Sequence, residues 1–406
     1  MTREDDTASK KTLKPRGAGA MPAQKLSASG KPRKAAQKTT KRATAPKKAA
    51  RAKLSAQATA TERRGTRTTA RAASAPKRIS LDELMARLAD PDVPEEELIP
   101  YVTTTQAPRA GLAPTLLPSD NVDIEGSDPA ARARGDLGLG FLNSVYQARR
   151  RRLFDRRIAD KDKRPALIAE GDSWFQYPMF LDDVIDYLDD DYNVLCLSGA
   201  GDELRTMVAQ AEYRDYLTRL TAKGVAFRAF LFSAGGNDVV GDQMKAFLRK
   251  HDPGLDAAGH IDTAAFNQKV AALVTDFEIM IAAVHAILPK LPILAHGYDY
   301  SVPLPDQSFS VPPKDGWLGK PMRALGIPDG PLQAEIVRIM MDTVNSALAG
   351  LAGGNVAGGR HADVYFVDNR NIVQGRWADE LHPNDKGFQA VAENFRRVMR
   401  EKAGVP

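Results

Sequence analysis

Ser173 stands in Glu170-Gly171-Asp172-Ser173-Trp174, and His382, one of six histidines, follows Asp379 by three positions. A serine hydroxyl is a weak nucleophile at neutral pH and needs a base within hydrogen-bond reach. Histidine suits that task, because its ordinary pKa of about 6.5 lets it take and return a proton. On a tight turn, the Asp379–His382 spacing lets the carboxylate accept from Nδ1–H and leaves Nε2 facing Ser173. Attack on an ester carbonyl creates an oxyanion. The N–H of Ser173, the amide of Asn237 and a glycine N–H, from Gly199 or Gly201, are candidates to meet it. Gly171 and Gly235-Gly236 allow the close backbone approach that a crowded strand-to-helix turn requires.

Each of these residues also has a plainer reading. Ser173 and Asp379 fit helix caps, Asn237 fits a turn after Gly235-Gly236, and His382 before Pro383 fits a surface histidine. Their recurrence just past the ends of apolar runs favours chemistry. Asp172 and Asp238 read as braces of their turns, and His296 as a positioned structural histidine near the pocket. His251, His260, His285 and His361 lack acidic partners at metal spacing, so neither a metal nor another cofactor is expected. The single cysteine, Cys196, sits in Val194-Leu195-Cys196-Leu197 and reads as a small buried hydrophobe. It excludes an intramolecular disulfide and a cysteine zinc site. No Gly-x-Ser-x-Gly surrounds Ser173, so the nucleophile elbow of α/β-hydrolases is not expected.

The elements that must position these residues lie between 164 and 406. Short apolar runs at 166–169, 193–197, 226–232, 292–295 and 364–367 read as strands. Amphipathic stretches at 203–222, 264–288 and 331–350 read as the helices between them. This alternation predicts an α/β domain with a central parallel sheet of about five strands, covered by helices on both faces. Ligands of such sheets bind beyond the carboxyl ends of the strands, where the candidate residues fall. Residues 299–330, Pro-rich with Tyr300, Phe309 and Trp317, read as an insertion that acts as a lid or packs over a satellite core.

Four blocks carry a resemblance to a known family. Gly171-Asp172-Ser173, Gly201-Asp202, Gly235-Gly236-Asn237-Asp238 and Asp379-Glu380-Leu381-His382-Pro383 resemble, in order, the blocks of SGNH or GDSL hydrolases. The resemblance covers about residues 165–400. It implies a three-layer α/β/α sandwich of the flavodoxin-like SGNH kind and a serine esterase or lipase that works through a seryl acyl-enzyme. It implies Ser173, Asp379 and His382 as catalytic residues, with Ser173, Gly201 and Asn237 forming the oxyanion hole. Gly201 is favoured because Gly201-Asp202, followed by Leu204 and Met207, resembles the family's Gly-Asp-Thr helix opening; Gly199 is the fallback. Glu203 stands where the family often has threonine or serine. The implied partner is a small-molecule or lipid ester.

The N-terminal part is of a different character. Residues 1–80 hold 22 Lys and Arg against 4 Asp and Glu; from chain totals of 57 and 51, this leaves 35 against 47 for the rest. A basic segment is thus joined to an acidic body. Residues 1–78 hold no aromatic residue and too few apolar ones to offset the entropy of ordering, which predicts a disordered tail. Such a charge attracts polyanions without sequence preference. A polyanion-binding (nucleic-acid-binding) protein carrying an inactive hydrolase-like module is therefore the alternative function. Residues 79–163 read as a small helical prelude and linker, with a capping box at Ser80-Leu81-Asp82-Glu83, and 164–406 as the hydrolase-type domain. No apolar run of transmembrane length and no secretory leader is evident, and a cytoplasmic location is expected.

Overall fold

A computed structural model describes residues 76–104, 116–124, 139–179, 181–304 and 316–406. The expected disordered tail over 1–78 lies outside these residues except for its last three positions. Phe309 also lies outside them. The described residues belong to a compact unit, Ala73–Pro406.

The chain enters through helix α1 (Leu81–Leu88). Ser80 caps it by accepting from Glu83 N–H at 3.1 Å, and Leu81, Leu84 and Leu88 form its buried stripe. A short 3₁₀ turn at Glu95–Glu97 follows Pro94. The region 79–163, expected to be a helical prelude and linker, also contains short paired strands. Val102–Thr104 runs antiparallel to Leu116–Pro118, and Ile79–Ser80 pairs in parallel with Val122–Asp123. Pairs of two or three residues are too short to leave a periodic signature in sequence.

Helix α2 (Leu139–Ala159) carries the arginine run. Its arginines are used internally. Arg150 donates to Asp183 at 2.7 Å, Asp186 at 2.9 Å and the Phe175 carbonyl at 2.5 Å. Arg149 reaches the carbonyls of Asp90 and Val93, and Arg152 that of Ala89. Phe154 of α2 is buried in the main core, stacked at 6.2 Å on Phe227.

The central sheet has five strands: β1 (Ala166–Gly171), β2 (Asn193–Cys196), β3 (Phe227–Ser233), β4 (Ile293–His296) and β5 (Val364–Val367). Their order is β2-β1-β3-β4-β5 and every pairing is parallel. The strands are almost wholly buried, as expected of a parallel sheet covered on both faces. Between them run α3 (Val184–Leu188), α4 (Leu204–Gln210), α5 (Glu212–Ala222), α6 (Thr263–Ile287), α7 (Gly319–Ala324) and α8 (Pro331–Ala349). Helix α9 (Asp385–Glu401) closes the chain. Helix α9 packs on α3, whereas α6 packs on α4, α5 and α8. These two groups are the outer layers of an α/β/α sandwich. The β1-to-β2 crossover moves opposite to the later ones, so right-handed connections place its helix on the other face. The strand order reverses between β1 and β3, the position at which such sheets open a ligand crevice.

Two features of the helices depart from expectation. The stretch 203–222 is two helices broken at Ala211, which adopts a left-handed conformation with φ 51°. Helix α6 is long and apolar enough to cross a membrane. It buries Phe266, Val270, Leu273, Phe277, Met280, Ile281 and Val284 as a core helix of the sandwich.

Candidate active site

β1 runs straight into the turn that bears Ser173. Gly171 is required at its end, because a Cβ there would lie 2.6 Å from the Ser233 carbonyl oxygen. The Asp172 carboxylate then folds the turn by accepting from Trp174 N–H at 3.0 Å. The other half of the site sits after β5. Residues 377–383 form a tight loop closed by the Trp377–Pro383 bridge and by donation from Ala378 N–H to the His382 carbonyl at 2.8 Å.

These two loops bring the separated residues together. His382 Nε2 lies 2.8 Å from Ser173 Oγ. Its Nδ1 lies 2.8 Å from Asp379 Oδ2 and 3.0 Å from Oδ1. Asp379 Oδ1 also accepts from Leu381 N–H at 2.8 Å and His382 N–H at 2.7 Å, so the carboxylate orientation is fixed by the backbone. Asp379 is fully buried, and His382 and Ser173 are 2% and 5% exposed. With Nδ1 bound to a carboxylate, Nε2 is the nitrogen free to accept from Ser173. Tyr177 packs against the imidazole at 4.7 Å, and Trp317 meets it at 5.5 Å. Trp174 Nε1–H donates to the Leu381 carbonyl at 3.1 Å, tying the Ser173 turn to the His382 loop.

Of the two glycines after β2, Gly199 has its N–H committed to the Gly171 carbonyl at 2.9 Å. Gly201 has φ 82°, and no acceptor among the described residues takes its N–H or that of Ser173. The Asn237 amide donates one hydrogen to the Asp202 carbonyl at 2.8 Å, which holds the loop after β3 against that after β2. Its second hydrogen remains. Asp238 Oδ2 accepts from Leu204 N–H at 3.0 Å, so it caps α4 where Glu203 makes no cap of its own. Burial, reinforced by Asp172 and Glu212, pushes the Asp202 carboxyl up to about 7, and burial pushes Asp238 to about 6. Among the described residues no three His, Cys, Asp or Glu side chains form a metal-holding group.

Beneath the nucleophile turn lies a buried polar chain that the sequence does not announce. Ser233 Oγ donates to Asp172 Oδ1 at 2.7 Å and lies 2.6 Å from His296 Nε2. With the serine proton on Asp172, His296 Nε2 carries the hydrogen between them. His296 Nδ1 lies 3.3 Å from the amide nitrogen of Asn369 and 3.0 Å from the Gly297 carbonyl. Asn369 Oδ1 in turn accepts from Asn394 of α9 at 2.8 Å. Tyr298 hydroxyl donates to Asp172 Oδ2. Burial holds the His296 imidazole below its usual range, which favours the neutral ring. His296 and Asp172 are thus structural in contact, as their sequence context suggests. The only signal that could have joined them is that 172, 233 and 296 each end or follow a strand.

No protein-family model matches the chain, and no curated protein matches it. Solved structures are similar to it. One is a lipase from goat rumen metagenome, at 12% identity and a TM-score of 0.36, with 57% of this chain and 96% of that one covered. Another is an extracellular lipase from Streptomyces rimosus, at 14% identity and 0.36, with 56% and 98% covered. A third is a carbohydrate esterase family 3 structure from Talaromyces cellulolyticus, at 12% identity and 0.31, with 58% and 97% covered. Others are described as GDSL-like lipases. None of these likenesses reaches a TM-score of 0.5, and the chemical reading rests on the chain's own residues.

Proposed function

We propose that this protein is a serine ester hydrolase of the SGNH/GDSL kind. The observation that carries the reading is the 2.8 Å approach of His382 Nε2 to Ser173 Oγ, with Asp379 on the opposite nitrogen. His382 takes the Ser173 proton as Oγ attacks the carbonyl carbon of a carboxylic ester. Asp379 holds the imidazole in the Nδ1–H form and stabilises the imidazolium. The oxyanion is met by the N–H groups of Ser173 and Gly201 and by the second amide hydrogen of Asn237. Collapse expels the alcohol, which takes the proton from His382, and leaves an acyl group on Ser173. Water, deprotonated by His382, then releases the acid and restores the serine. The substrate class is an acyl, acetyl or lipid ester.

The test is turnover of p-nitrophenyl acetate by the wild type beside Ser173→Ala, with labelling by a fluorophosphonate probe. Turnover and labelling in the wild type, with both absent in Ser173→Ala, are expected. Equal rates in the two proteins would remove the hydrolase reading.

A further inference from the structure

Glu380 lies inside the same loop as His382, between Asp379 and Leu381, yet its hydrogen bonds run to another part of the chain. It is fully buried, and its carboxylate is used by the insertion after β4. Oε1 accepts from Leu304 N–H at 2.9 Å and Gly319 N–H at 3.0 Å, and Oε2 accepts from Leu318 N–H at 2.6 Å. Leu304 therefore meets Leu318 and Gly319 on one carboxylate. The fit is close on both sides. A Cβ on Gly316 or on Gly319 would lie 3.0 Å from a Glu380 oxygen. Leu304 is further held through its carbonyl by Arg323 at 3.3 Å, and Trp317 through its carbonyl by Gly241 N–H at 2.9 Å.

Trp317 is the residue this anchoring delivers. It is 6% exposed and meets the His382 imidazole edge-on at 5.5 Å and 85°. Tyr177 meets the same imidazole at 4.7 Å and 64°. With Asp379 on Nδ1 and Ser173 on Nε2, Trp317 is one of two rings packed against the imidazole among the described residues. Without it, water competes with Ser173 for Nε2 and with Asp379 for the Nδ1 proton.

We propose that Glu380 is a positioning residue for His382, acting through Trp317: its carboxylate ties Leu304 to Leu318 and Gly319 within the insertion and so holds the indole against the imidazole. The kinetic side of this proposal rests on the ester-hydrolase reading, while the contact itself does not. Glutamine at 380 keeps one acceptor oxygen and turns an NH₂ toward a backbone N–H, so at least one clamp bond is lost and a donor meets a donor.

The experiment compares the wild type, Glu380→Gln, Trp317→Ala and the double variant by two readouts. The first is exchange with water of the His382 Nδ1 proton, followed by NMR on protein labelled with ¹⁵N-histidine; it needs no turnover. Each single variant should speed exchange by about tenfold or more, and the double should be no faster than the faster single, because both remove the same shield. The second is kcat and KM on p-nitrophenyl acetate, where kcat should fall by about tenfold with KM nearly unchanged. Unchanged exchange in Glu380→Gln, or effects that multiply in the double, would overturn the proposal. A fall in melting temperature with unchanged exchange would show a purely structural carboxylate and overturn it equally. A wild type without turnover would sink the hydrolase reading but leave the exchange test standing. Should Glu380→Gln not fold, Glu380→Asp, which keeps the charge and retracts it by one methylene, puts the same question.

Discussion

Asp379→Asn separates an orienting carboxylate from an incidental one. In the wild type, Oδ1 takes two backbone N–H groups, from Leu381 at 2.8 Å and His382 at 2.7 Å, and Oδ2 takes the imidazole Nδ1–H at 2.8 Å. Asparagine has one acceptor oxygen and one donor nitrogen. With its oxygen toward the two backbone donors, its NH₂ faces His382 Nδ1, and the imidazole proton must move to Nε2. That nitrogen then donates toward Ser173 and cannot accept its proton. The reverse orientation keeps the working tautomer but leaves two buried backbone N–H groups facing a donor. At about 1–3 kcal/mol for each unsatisfied group, it lies roughly 2–6 kcal/mol higher. The competent fraction is then on the order of 10⁻² to 10⁻⁴, before the lost stabilisation of the imidazolium is counted. A fall in kcat of about 10³–10⁴ follows, close to that known for loss of the acid's charge in other Ser-His-Asp triads. KM should move little, since Asp379 is fully buried behind His382. Steady-state rates on p-nitrophenyl acetate, corrected for spontaneous hydrolysis and for Ser173→Ala, measure this, with a melting curve to confirm the fold. A folded Asp379→Asn that keeps kcat within tenfold of wild type would refute the reasoning.

Three further outcomes are expected. Asn237→Ala removes the candidate oxyanion donor and the 2.8 Å tie to the Asp202 carbonyl; kcat should drop about 10²–10³-fold, and a drop under fivefold would exclude Asn237 from the oxyanion hole. Asp202, raised from 3.8 to about 7, binds a proton more tightly folded than unfolded, so its ionisation costs stability as pH rises from about 4 to about 7. Asp202→Asn should therefore stabilise the protein by on the order of 2 kcal/mol at pH 8, discounted for partial exposure, and hardly at all at pH 4; urea melts that show a pH-independent gain contradict this. Arg150→Leu strands the fully buried Asp183, whose partner at 2.7 Å is that guanidinium; a loss of about 3–5 kcal/mol is expected, and a urea midpoint within error of wild type would show that the pair carries no such weight.

What could be read from sequence follows from where information is local. The five central strands were legible because each is a short apolar run ended by Gly, Ser or Asp, and a fully buried parallel strand has no polar alternation to confuse it. Ser173, Asn237, Asp379 and His382 could be singled out as candidates because each stands in a short motif of Gly, Asp or Pro just past a strand. The choice between Gly199 and Gly201 was open, since it depends on which N–H the Gly171 carbonyl takes, a contact across strands. The break at Ala211 was hidden, as alanine is the best helix former and nothing in its residue type announces a left-handed φ of 51°. The partners of the arginine run of α2 were not legible, since its targets are carbonyls and carboxylates 25 to 63 positions away.

The Ser173–His382 contact spans 209 positions in sequence, and a single hydrogen bond could not specify it. Three ties do, two of them through the Trp174 indole. The Trp174 indole donates to the Leu381 carbonyl, joining the two loops directly. The chain from Asp172 through Ser233, His296 and Asn369 ends on Asn394 of α9, the helix that starts just after His382. The Trp174 ring packs on Phe388 of the same helix at 5.9 Å. Each tie joins the region of Ser173 to the loop of His382 or to the helix that follows it, and all are buried, where an unmade hydrogen bond costs more than a made one contributes. The Ser173–His382 distance is therefore set by the scaffold rather than by attraction between the two side chains. It follows that removing the Ser173 hydroxyl should leave His382 where it is.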